Sequence, residues 1–143
     1  MSAATIASLV FFAFSLVAAA TVEFLLGAFA ERVGVNRWAF SMVPALLAML
    51  YSLIVYQSAE RKIRRLGESM SRGILVMLLT WASFAAMIGW ALCQTQKLGF
   101  AYSLKTALEV SGLIGGGPML LCALGAGMLT GVLIIRKPRP RIE

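Results

Sequence analysis

Residues 60–72, Glu-Arg-Lys-Ile-Arg-Arg-Leu-Gly-Glu-Ser-Met-Ser-Arg, carry five of the thirteen basic residues in this chain. Long apolar sequence lies on either side. Charge at this density cannot sit in hydrocarbon, so the stretch must lie in water. It divides the chain into two apolar halves, each long enough to cross a bilayer and return. Only 13% of the 143 residues are charged, where a soluble domain has about 25%. The solvent for most of the chain is therefore lipid. The expected fold is an all-α membrane protein: one integral membrane domain over residues 1–143, with four transmembrane helices arranged as two hairpins. The spans are expected at about 5–30, 38–58, 73–94 and 118–135.

The first segment has no basic residue ahead of it, and its apolar run is longer than the core of a signal peptide. It reads as a spanning helix that is retained. Trp38 and Tyr56 mark the two ends of the second span at headgroup depth. Pro44 should kink that helix and free a carbonyl. The start of the basic stretch is expected to prolong the second helix, with Arg64 four residues from both Glu60 and Glu68 on one face. Gly67 suits the helix stop, and Ser69 or Ser71 suits the cap of the third helix. Trp90 marks the outer end of that third helix. In the fourth segment Gly115, Gly116 and Gly117 run into Pro118. Three glycines before a proline oppose helix strongly, so the fourth helix is expected to be broken or kinked there. A short interfacial helix over 103–114 would then precede the span. The basic, proline-containing tail covers 136–143.

Orientation follows from charge. With four spans, the middle loop and the tail share one side, which carries nine lysines and arginines; the other side carries Arg32, Arg37, Lys97 and Lys105. The positive-inside rule places the nine, and both termini, in the cytoplasm. An inner membrane of bacterial type is the expected location. Arg61, Lys62, Arg64, Arg65, Arg72, Arg136, Lys137, Arg139 and Arg141 are expected to meet anionic lipid headgroups. The signature of a nucleic-acid module is missing.

The chain has no histidine and no aspartate. Bis-histidine haem ligation, histidine zinc sites and Ser-His-Asp triads cannot be built from it alone. No cofactor, no metal and no catalytic residue is expected. Cys93 and Cys122 read as small buried hydrophobes.

Two glutamates stand out. Glu23 lies inside the first span, where a carboxylate is paired, hydrated or protonated. It is a candidate ion or docking site, or a partner for Arg37 or Arg32 at the interface. Glu109 follows Lys105 by four residues, the spacing of a local ion pair. Both glutamates are placed in the outer half, where they could face one cavity. Gly112 and Gly116 are four residues apart, and Ala123, Gly127 and Gly131 follow one another at the same spacing, which makes a smooth face for close helix approach. The partner could be another helix of this chain, a second copy or another protein. A glutamate in the first of four short-loop helices resembles the small multidrug resistance transporters; that likeness covers Glu23 and the helix count. The chain departs from them in its basic middle loop, its glycine-proline run and its tail.

The expected function is that of a non-enzymatic accessory, structural or assembly subunit of a larger membrane complex. Its partners would be lipids and other transmembrane subunits, or copies of itself. The alternative is a small homo-oligomeric channel or a proton- or cation-coupled transporter using Glu23, alone or together with Glu109.

Overall fold

A computed structural model describes residues 2–33, 37–57, 63 and 65–136, with the side chains of 25–33, 37, 39 and 40 left aside. The described residues form four helices: α1 (Ala3–Val33), α2 (Arg37–Tyr56), α3 (Leu66–Gln96) and α4 (Phe100–Ile135). Three of them, α1 over Ala3–Phe24 together with α3 and α4, are long and apolar enough to cross a membrane. The described apolar stretch of α2, Ser41–Tyr56, is shorter. This is the build of an integral membrane protein. Several polar side chains inside the apolar helices return their hydrogen bonds locally. Ser8 donates to the Thr5 carbonyl at 2.9 Å and Thr21 to the Val17 carbonyl at 2.8 Å, so neither hydroxyl faces hydrocarbon unpaired.

The helices pack as two hairpins, α1 with α2 and α3 with α4. The hairpins meet where α1 lies on α4 and α2 lies on α3, while α1 and α3 scarcely touch. Three residues connect α3 to α4. Lys97 takes the left-handed conformation, φ 54°, that stops a helix, and Gly99 then enters α4. The main core gathers Phe11, Tyr56, Ile63, Val76, Met77, Cys122 and Ala123 towards the end of the bundle where α2 leads to α3. A smaller cluster of Ile88, Leu92 and Ala107 lies near the α3–α4 turn.

Two local expectations are corrected. First, α4 runs unbroken for 36 residues through Gly115–Pro118. There is no break, and residues 103–114 are not a separate helix. Pro118 removes one N–H from the helical ladder, whereas opening the helix would strand several carbonyls and amides in hydrocarbon. Keeping the helix intact is the smaller loss. At about 1.5 Å per residue α4 is roughly 54 Å long. It therefore outruns a hydrocarbon core of about 30 Å, and an end of it stands in or beyond the headgroups.

Second, α3 begins at Leu66, ahead of the expected caps Ser69 and Ser71, so Gly67 lies inside its first turn rather than at a helix stop. The cap position is Arg65, in extended conformation and without a side-chain cap bond. Ser71 donates back to the Gly67 carbonyl at 3.0 Å, and Ser69 reaches another helix. α2 ends at Tyr56. Glu60, Arg61, Lys62 and Arg64, with their expected ion pairs, and the tail from Lys137 onward lie outside the described residues.

Candidate functional site

The two ends of the bundle are built differently. At the end where α2 leads to α3 the helices are tied together. Tyr56 is fully buried, and its hydroxyl donates to the Ser69 carbonyl at 2.7 Å. Ser69 in turn donates to the Gly127 carbonyl of α4 at 2.7 Å. The Tyr56 ring meets Phe11 of α1 with centroids 5.8 Å apart, so all four helices contribute. Arg72 adds a bond from Nη1 to the Val55 carbonyl at 2.8 Å, meeting one of the carbonyls left over at a helix C-terminus.

Glycines allow this closeness. A Cβ placed on Gly73 would stand 2.5 Å from the Ala123 carbonyl oxygen and 3.1 Å from the Gly127 Cα. One on Gly127 would stand 3.0 Å from the Met70 Cα, and one on Gly131 2.9 Å from the Ser69 Cβ. The backbones of α3 and α4 touch here with no room for a methyl group.

Towards the other end the hairpins part around a partly open cavity of about 400 Å³. α1 contributes Ser15, Ala19 and Val22, and α2 contributes Pro44. α3 contributes Thr80, Trp81, Phe84 and Ile88. α4 contributes Ser103, Thr106, Val110 and Ser111, with Ile114, Gly115 and Pro118 further along. The walls are mostly aliphatic and aromatic, and none of the described lining residues is charged. Two of the wall's polar groups satisfy each other: Trp81 Nε1 donates to Ser111 Oγ at 2.9 Å. Thr80 donates to the Val76 carbonyl at 2.8 Å and Thr106 to the Tyr102 carbonyl at 3.0 Å. Ser103 differs: it is 1% exposed, and its hydroxyl has no hydrogen-bond partner among the described residues. A cavity of this size falls within the range of about 300–1,000 Å³ typical of small-molecule sites.

The residues singled out from the sequence do not converge on this cavity. Glu23 accepts a hydrogen bond from Ser41 across the α1–α2 contact. Glu109 is 62% exposed and lies 3.8 Å from Lys105, one helical turn away. Neither glutamate lines the cavity. Of the small-residue row, Ala123, Gly127 and Gly131 are buried and lie against α3. Gly112 has Trp81 at 3.6 Å from its notional Cβ, and Gly116 has nothing within 4 Å. Gly115 and Pro118 line the cavity, while Gly117 faces open space. Of the basic residues named for lipid contact, Arg65 and Arg136 are exposed and Arg72 is turned to Val55. Cys93 and Cys122 are both free thiols, Cys122 being buried. Among the described residues no group of three potential ligands could hold a metal ion.

Sequence reasoning missed Tyr56, Ser69, Trp81 and Ser103 as parts of a site. Tyr56 and Trp81 are polar-tipped residues in apolar runs, which is the signal that marked Glu23, whereas Ser69 lies in the charged middle stretch and Ser103 beside Lys105 in mixed sequence. An uncharged side chain carries it more faintly, because it can also satisfy itself within its own helix.

No protein-family model, curated protein or solved structure matches the chain.

Proposed function

We propose that the chain is a four-span protein of a bacterial inner membrane, with both termini in the cytoplasm. It acts without catalysis, as an accessory subunit of a larger membrane complex. Its working part is the cavity between the hairpins. The observation that carries this reading is the division of labour along the bundle. One end is locked by Tyr56, Ser69 and Gly127, and the other holds a cavity with no charge among its described lining residues, whose walls could receive an apolar group. Such a body suits holding and positioning better than conversion. Purification in mild detergent followed by mass analysis is the test. Stoichiometric recovery of larger, unrelated membrane subunits is the expected result. A homogeneous oligomer of this chain alone overturns the accessory role.

One observation favours the transport alternative. Glu23, half-buried within the apolar stretch of α1, accepts a hydrogen bond from Ser41 of α2. A proton- or cation-coupled path would use this carboxylate as its carrier. Under that alternative Glu23→Gln abolishes ion flux in proteoliposomes. Flux equal to that of the parent protein removes Glu23 from any such path.

A further inference from the structure

We infer that the cavity binds one uncharged lipid-like molecule, a single hydrocarbon chain ending in a carbonyl-bearing head of ester type, with Ser103 donating to that carbonyl. The inference deepens the accessory reading by naming what the cavity takes, and it stands whether or not larger subunits co-purify. Three observations carry it. The first is Ser103, a residue of the cavity wall that is buried to 1% exposure and whose hydroxyl has no partner among the described residues. A buried donor without an acceptor is costly and therefore uncommon, and an acceptor on a ligand would relieve it. The second is charge. No described lining residue could neutralise a carboxylate or a phosphate, and Lys105, close by in sequence, faces outward beside Glu109. Against the described walls a charged head would enter low dielectric unpaired, which is costly. The third is shape and composition: a half-open space of about 400 Å³ with Phe84, Ile88 and Val110 on its walls fits a hydrocarbon chain.

The test uses the full chain in lipid nanodiscs. The probe is the methyl ester of a sixteen-carbon fatty acid bearing a diazirine for photo-crosslinking, and the matching free acid is the charged comparison. Labelled residues are located by peptide mass mapping. The ester is expected to label cavity residues in preference to outward-facing positions such as Leu113 and Leu121, which are 86% and 73% exposed. Val110→Phe and Ala19→Phe, which narrow the cavity from α4 and from α1, should each abolish this labelling while the protein still melts cooperatively. Ser103→Ala, a milder change, should weaken it roughly fivefold, the loss of one hydrogen bond. Even labelling over the lipid-facing surface overturns the site. Cavity labelling unchanged by Ser103→Ala overturns the role of the hydroxyl, and free acid labelling as strongly as the ester overturns the uncharged class.

Discussion

Gly73→Ala should destabilise the bundle by about 1–3 kcal/mol, although it adds only one methyl group and alanine is the better helix former. The methyl carbon would stand 2.5 Å from the Ala123 carbonyl oxygen, and the obstructing atom is backbone. No rotamer change can move it aside; α3 and α4 must separate. Separation would also stretch the bond from Ser69 to the Gly127 carbonyl. Gly116→Ala is the internal comparison. Nothing lies within 4 Å of its added carbon, so the change should be neutral or should stabilise by up to about 1 kcal/mol through helix propensity. Unfolding titrations in mixed micelles measure both. Equal effects at the two positions would show that α3 and α4 do not approach as described.

Tyr56→Ala should be the most damaging single truncation, at about 3–5 kcal/mol. The ring is fully buried against Phe11, and its removal leaves a void at the point where the helices meet. Tyr56→Phe separates ring from hydroxyl. It keeps the packing and loses the 2.7 Å bond to the Ser69 carbonyl, so it should cost about 0.6–1.7 kcal/mol, the range for hydrogen bonds between membrane helices. The same micelle titrations measure both variants. If phenylalanine proved as harmful as alanine, the hydroxyl rather than the ring would hold the tied end together.

Much of the fold was legible because it depends on composition and short spacing. Long apolar runs become helices wherever the backbone has no water to bond, and that follows directly from hydropathy. The Lys105–Glu109 pair was also legible, since four residues on a helix bring two side chains together without help from the rest of the chain. What escaped was non-local. Tyr56 looked like a headgroup-level aromatic, yet its partners are thirteen residues on and, through Ser69, on the last helix. Ser69 looked like a helix cap, a role its residue type suits, but a carbonyl on α4 claims its hydroxyl. Gly115 to Pro118 looked like a break because propensity was weighed as it is in water. In an apolar setting the cost of freeing backbone groups outweighs it. A cavity in the outer half was expected to be faced by Glu23 and Glu109, but its actual lining could not be read, since it is a gap between helices and no single stretch encodes it.

The link from Tyr56 through Ser69 to Gly127 has a consequence for how the chain is made. A ribosome delivers α1 and α2 first, then α3, then α4. The serine hydroxyl gains its acceptor only when the final helix arrives, because that acceptor is the Gly127 carbonyl. Until then the first hairpin waits in the bilayer with its tyrosine in place but its contact set incomplete. The tied end is thus the last part of the molecule to be completed. A nascent chain halted before residue 127 lacks the closure that holds its helices together, and it would present to cellular quality control as a loose set of helices rather than as a finished protein.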